Sequence, residues 1–519
     1  MIPHTLPRLI WPTACLITAF LPTLAADAAA PTDASASTVT AAATATRPDA
    51  DNYRRLASEV EGVLKKDVLE KFFPAADDEQ GGGFFENFSA NWTRSPNNAT
   101  RSIVYQSRLT WLAAQAAVFD PAQADKYKVL SSHGVAELAN LQWDKTNGGF
   151  FWSVNVSGAP TNQQKHAYGN AFAIYAAAVN YSVTHESASL DLAKQGFAWL
   201  EAHSHDAKNG GYIEAMNVDG TPMVVTPPAP LPPTTAPTLP PVPPGTVAAS
   251  GTAPTAPGAF GAPGFGPGGR RGGGRRGGGN ANDAIGTPIG QKSMNSHIHI
   301  LEGLTALLEI WPDPVVKQRV QEVYELSLNQ IYSDPGYLNM FFNADWSVIA
   351  PRNGGDSYGH NIEAAYLLTD TAKVLGKPDD PTVWAAARKL VDHALEKGWD
   401  KENGGFYEEG NLNTPGYTKQ NKCWWVEAEG LYALLLIHER YGKETTKYWD
   451  AFVQQWKFIS EHQLDPVNGG WYSYVTPDGS SPTGQAMNSK TDQWTEGYHQ
   501  GRALLNTSAL LRKLASTRP

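Results

Sequence analysis

The chain has 519 residues, a formal net charge of −10 and two cysteines, Cys15 and Cys423. The acidic balance argues against a nucleic-acid surface, and two cysteines cannot build a disulfide framework or a Cys-based zinc site. The 16 Trp, 20 Tyr and 18 Phe are ample for a large core.

The N-terminus reads as a leader. Arg8 precedes an apolar run from Leu9 to Leu24, and Ala25, Ala26 and Ala28 follow. Charge, apolar core and small residues in that order make a signal peptide over residues 1–28. Pro12 and Pro22 break the run, which is short of the ~20 apolar residues of a membrane span. A secreted or periplasmic location is therefore expected, with no stable membrane insertion after cleavage; an uncleaved anchor is the alternative. Residues 29–47, rich in Ala and Thr, read as a disordered tether. A catalytic domain follows over 48–516, interrupted at 227–290 by a Pro-, Gly- and Arg-rich stretch. That stretch has almost no large apolar residues, so burial cannot offset the entropy of ordering, and it reads as a disordered insertion. Arg270, Arg271, Arg275 and Arg276 allow a basic arm for nucleic acid instead, but four arginines leave a small electrostatic footprint.

Outside these segments the chain repeats itself. Asp144-Lys-Thr-Asn-Gly-Gly-Phe150 recurs as Asp206-Ala-Lys-Asn-Gly-Gly-Tyr212, Asp400-Lys-Glu-Asn-Gly-Gly-Phe406 and Asp465-Pro-Val-Asn-Gly-Gly-Trp471. Looser copies are Asp78-Glu-Gln-Gly-Gly-Gly-Phe84 and Asp334-Pro-Gly-Tyr337. The steps are 62 to 66 residues, apart from one of 128 that contains the insertion. Asn-Gly-Gly supplies positive φ at little cost, and the aromatic after it reads as a strand leaving a turn. Between the turns the apolar residues keep helical spacing, as at Leu301, Leu304, Leu307 and Leu308. Each unit thus holds two helices and one turn. The expected fold class is all-α: an (α/α)6 barrel of six helix pairs with short β-hairpin-like turns. An open superhelix of helix pairs is the alternative, because periodicity alone does not show closure.

A second periodicity runs through the helices. Near the start of one helix per unit stand Arg108, Tyr168, Asn295 with His299, His360 with Glu363, Trp425 with Glu429, and Trp494 with His499. Equivalent positions on the inner helices of a ring face one axis, so these side chains are expected to line one pocket at one mouth. Asn295 and His299 are i,i+4, as are Trp425 and Glu429; His299 and Glu302, like His360 and Glu363, are i,i+3. A carboxylate one turn from a histidine holds its tautomer. Three histidines and an arginine suit proton transfer beside a carbonyl. Histidine is base before the step and acid after it, arginine stabilises an enediolate, and tryptophan stacks on sugar rings.

The segments Gln-Ser-Arg108, Tyr168-Gly-x-Ala-Phe172, Asn295-x-x-x-His299-x-x-Glu302, Ser-Tyr-Gly-His360-x-Ile-Glu363, Trp424-Trp425-x-x-Ala-Glu429 and Trp494-x-x-x-Tyr-His499-x-Gly-Arg502 carry a resemblance. In this order they resemble the N-acylglucosamine 2-epimerase superfamily, and within it the cellobiose 2-epimerase branch. The resemblance implies that His360 and His499 are the acid/base pair at C2 and that His299 assists ring opening. It implies that Arg108, Tyr168 and Asn295 hold the C1 and C2 oxygens. Trp425 and Trp494 would platform the sugar, with Glu363 and Glu429 in support, and no metal or redox cofactor is needed. The implied reaction is epimerisation at the reducing-end C2 of an aldose, such as cellobiose or mannobiose, by ring opening and an enediolate. Aldose–ketose isomerisation and N-acylglucosamine epimerisation are the alternatives within the superfamily. Outside it stand an inverting glycoside hydrolase using Glu363, Glu429 or Glu496, a zinc site at His297-x-His299 with His360 and His499, and a non-catalytic sugar-binding protein.

Overall fold

The computed structural model describes residues 47–95, 100–225, 282–350 and 355–517. The expected leader, nearly all of the tether and most of the insertion lie outside them.

Twelve long helices build the described part: α1 (Ala50–Val63), α2 (Ile103–Phe119), α3 (Ala124–Glu137), α4 (Ala167–Thr184), α5 (Ser187–His203), α6 (Met294–Ile310), α7 (Pro314–Leu326), α8 (Tyr358–Val374), α9 (Pro381–Lys397), α10 (Trp424–Tyr441), α11 (Lys447–Phe458) and α12 (Tyr498–Thr517). The even-numbered helices form the inner ring. Their sequences are mostly apolar or small, and most of their residues are buried: every residue from Ile103 to Ala117 of α2 is buried. The odd-numbered helices lie outside and bury one stripe, as α11 does with Tyr448, Trp449, Phe452 and Trp456. None of the described helices is long and apolar enough to cross a membrane.

Each inner helix packs on the next, α12 returns to pack on α2, and α1 covers α12 from outside. Strand ladders repeat this closure at the mouth. The residues leading into each inner helix pair antiparallel with a strand of the following unit. Lys165–His166, for example, pairs with Ala215–Met216, and Lys422–Cys423 pairs with Tyr474–Val475. The sixth ladder joins Phe88–Ser89 to Ser489–Thr491 and ties the two ends of the chain together. The ring is closed, so the fold is an (α/α)6 barrel and not an open superhelix.

The repeated turn shows why its residues recur. Asp144 accepts the amides of Thr146 and Asn147 and the Asn147 carboxamide, and Gly148 and Gly149 sit at φ 68° and 71°. Lys165, two residues before α4, donates to Asp144 at 2.8 Å. Arg101, Lys292, Lys422 and Lys490 clamp the equivalent aspartates Asp78, Asp206, Asp400 and Asp465. The fourth unit differs. Asp334-Pro-Gly-Tyr337 lacks the Gly-Gly pair and folds as a tight hairpin of Tyr332–Ser333 on Tyr337–Leu338. There the clamp position is Asp356, which is paired with His393 on the outer helix. Replacing Lys165 by Met leaves Asp144 without its cation in a buried place. The expected loss is about 2 kcal/mol of unfolding free energy, read from urea midpoints.

Composition alone misplaced one boundary. Residues 282–290, assigned to the disordered insertion, are ordered. Asn282 bridges Pro288, Thr287 is fully buried, and Ile285 and Ile289 are buried anchors. Two isoleucines in nine residues supply the apolar area that the preceding Gly/Pro tract lacks.

Candidate active site

Helix register sets the pocket. Arg108, Phe172, His299, Glu363 and Glu429 are each the sixth residue of their inner helix, and Arg502 is the fifth of α12. Residues at one height on a closed ring converge on its axis. Tyr168, Asn295 and Trp425 stand one turn nearer the mouth as second residues, and His360 is a third. Trp494 lies half-buried in the loop before α12.

Arg502 is at the centre. Its guanidinium donates to Glu302, Glu363, Glu429 and the Tyr498 hydroxyl. His299 Nδ1 lies 3.0 Å from Glu302 Oε2, and His499 Nδ1 lies 2.6 Å from Glu429 Oε1. His360 Nδ1 is 2.6 Å from Ser357 Oγ. Each histidine therefore has Nδ1 engaged, and Nε2 is the atom left for a ligand. The Trp425 ring touches both His360 and His499, with centroids 4.8 and 5.6 Å away. On the other side Arg108 donates to Glu496 Oε1 at 2.6 Å and to the Tyr168 hydroxyl at 2.8 Å. The Tyr168 ring meets His299 edge-on at 5.2 Å, and Trp494 lies 6.2 Å from Tyr168. Behind Arg502 the axis narrows to a cavity of about 20 Å³ beside Asp370 and Asn506, room for one water.

Burial and charge divide the titratable groups. Burial holds His360 down at about 4 despite nearby Glu363. Burial also depresses His499, and the positive charges of Arg108 and Arg502 add to this. Both imidazoles are neutral at pH 7. Burial alone would raise Glu302, but Arg502 and His299 outweigh it and hold the group at about 2. Burial pushes Glu429 up to about 8, Arg502 opposing and Glu363 reinforcing the shift. The Glu429–His499 pair thus shares a proton at neutral pH.

Nine of the ten expected residues join one contact network through Arg502, Trp425 and Tyr168. Asn295 stands apart, half-buried one turn above His299, with no side-chain hydrogen bond among the described residues. Sequence reading left Arg502, Tyr498, Tyr366 and Ser357 without roles in the site; Glu302 it paired with His299 one turn away, and the two are in contact. For Arg502 the signal was present: it occupies the height on α12 that Arg108 occupies on α2. His297 belongs elsewhere. Its Nε2 accepts the Tyr212 amide at 3.1 Å and its Nδ1 donates to the Ser293 carbonyl at 2.8 Å, so neither nitrogen is left for zinc. Gln106, Asn170, Asn361 and Glu427, also fourth residues of inner helices, hold the equivalent turn amides. Glu363, Glu429 and His499 lie close enough to share a cation, but the Arg502 guanidinium already bonds both carboxylates. Glu496 is likewise bound to Arg108. All three carboxylates named for glycoside hydrolysis are thus committed to arginines.

A closed (α/α)6 barrel with histidines, an arginine and tryptophans at one mouth is the framework of a carbohydrate-active barrel enzyme. A model of the N-acylglucosamine 2-epimerase family matches residues 83–224 and 278–500, and the chain belongs to that family of isomerases. A relative is the cellobiose 2-epimerase of Bacteroides fragilis, 25% identical over 448 residues, covering 86% of this chain and 97% of its own. The D-mannose isomerase of Thermobifida fusca is 26% identical over 215 residues, 39% of this chain and 51% of that one. Among solved structures, the cellobiose 2-epimerase from Spirochaeta thermophila superposes with a TM-score of 0.69 at 27% identity, covering 91% of this chain and 99% of that chain.

Proposed function

We propose that the protein epimerises the reducing-end C2 of an aldose, with a β-linked disaccharide such as cellobiose or mannobiose as substrate. The observation that carries this reading is the pairing of two neutral histidines, His360 and His499, on the one Trp425 ring. In this reading a sugar bound beside that ring meets the two imidazoles, one for each face of C2. After ring opening, assisted by His299, His360 takes the C2 proton and the enediolate charge is stabilised by Arg108 and Tyr168. His499 returns a proton to the opposite face, and Glu429 replaces it at Nδ1 across the 2.6 Å contact. Glu363 Oε2 is buried without a hydrogen-bond partner among the described residues, 3.9 Å from His299 Nε2. The cellobiose 2-epimerase relatives support the disaccharide.

The pH profile follows. His360 must be unprotonated, and its pKa is about 4; the Glu429–His499 pair must keep its proton, and Glu429 is raised to about 8. The kcat/KM value is expected to rise through about pH 4 and to fall through about pH 8. A flat profile above neutrality would contradict the shared proton. Chromatography after incubation with cellobiose separates the readings. An intact C2 epimer supports epimerisation. A ketose supports the second reading, favoured by the D-mannose isomerase relative, in which the proton returns to C1. Released monosaccharide supports hydrolysis. We also propose that residues 1–28 direct export; activity confined to the cytoplasm of cells making the full chain would oppose it.

A further inference from the structure

The residue before an inner helix is its cap at Ser102, His166, Ser293, Ser357 and Cys423. Serine is an ordinary cap because its hydroxyl accepts an orphan amide. Only α4 uses a histidine. His166 Nδ1 accepts the Tyr168 amide at 3.1 Å, which places the ring proton on Nε2. That nitrogen faces Asp283 Oδ2 at 3.0 Å, and the two side chains are 0% and 2% exposed.

His166, Glu214 and Asp283 lie close enough to suggest a cation site. The tautomer argues otherwise, since a ligand on Nε2 would demand an imidazolate. Glu214 is also committed, to Ser293 and Ser296 at the cap of α6. The pair is a hydrogen-bonded brace. Its outer half is rigid: Asp283 Oδ1 accepts the amides of Ile285 and Thr287, and the Ala284 amide donates to Gln164 at 2.6 Å. Its inner half reaches the aromatic wall of the site. Trp152 lies 5.7 Å from His166 and 6.0 Å from Trp494, which in turn packs on Tyr168.

We infer that Asp283 and His166 are positioning residues for Tyr168. The ordered segment that ends the insertion fixes one imidazole, that imidazole fixes the first turn of α4, and the turn holds the Tyr168 hydroxyl at Arg108. The inference rests on the proposed role of Tyr168 in holding sugar oxygens.

The test compares wild type, Asp283→Ala, Asp283→Asn, Tyr168→Phe and Asp283→Ala with Tyr168→Phe, each assayed well below its melting midpoint. Cellobiose affinity by tryptophan fluorescence and kcat/KM are both read. Asparagine has one acceptor oxygen, which can meet the Nε2 proton or the Ile285 and Thr287 amides but not both, so Asp283→Asn should fall between wild type and Asp283→Ala. Asp283→Ala should lose about tenfold in affinity and in kcat/KM. It should add less than about twofold to the loss already caused by Tyr168→Phe, because it acts through that residue. Asp283→Ala within twofold of wild type, or a loss fully additive with Tyr168→Phe, overturns the inference. A wild-type protein that binds cellobiose without exchanging its C2 proton overturns the functional reading alone, and the affinities then still decide this one.

Discussion

Alanine at His360 or at His499 is expected to slow C2 epimerisation by about 10³-fold, within the range for one positioned acid or base. The reason is inversion. In the proposed reaction each histidine serves one face of C2, and a sugar stacked on Trp425 keeps either from reaching the other face. The single variants should therefore share one signature. Each retains exchange of the C2 proton with solvent for one epimer, because the surviving histidine removes the proton and returns a deuteron to the same face. Exchange for the other epimer falls with epimerisation. Sugar affinity should change only a few-fold, since Trp425, Arg108 and Tyr168 remain. Both variants epimerising at more than about a tenth of the wild-type rate would sink the two-histidine assignment.

Methionine at Arg502 is expected to destabilise the fold by about 3–5 kcal/mol at pH 7. Glu302, Glu363 and Glu429 would then face one another in a buried space without the guanidinium they share. Met fills part of the volume but returns no charge. The pH dependence identifies the cause. In the wild type Glu302 is held at about 2, so its ionic stabilisation is present above the ordinary carboxylate range and is lost as pH falls toward 2. In the variant the carboxylate pKa values rise, and acid relieves the repulsion by protonating them. The gap between variant and wild type should narrow from pH 7 to pH 5 in urea titrations. An unchanged gap would assign the loss to packing rather than charge.

Much of the fold was legible because the chain states it six times. The Asp…Gly-Gly-aromatic turn marks every unit but the fourth, where Asp334-Pro-Gly forms a different hairpin. Closure was not legible. It depends on Phe88 pairing with Thr491, a contact across 403 residues that no local pattern encodes. The insertion boundary failed for a related reason, since a Gly/Pro-rich composition conceals a nine-residue segment whose two isoleucines and one aspartate bind it to the barrel.

The candidate site was legible where residue type and helix register agreed. His299, His360 and His499 stand out among apolar neighbours, and the repeat places them together. Arg502 and Glu302 were visible as residues but not as a centre, because their charges are joined only across the ring. For His297 helix geometry was the guide, since residues two apart on a helix face different sides. Two residues from His299, it points to the outer turn and serves the backbone of Tyr212. The clamp cations gave a signal that went unread: Arg101, Lys165, Lys292 and Lys422 each stand two residues before an inner helix.

Cellobiose and mannobiose followed by NMR in deuterated water, with the wild-type protein, test the central claim most directly. The account predicts the C2 epimer of the reducing sugar, deuterated at C2, with the glycosidic bond intact. A C2 proton that never exchanges in either sugar, or release of monosaccharide, would contradict it.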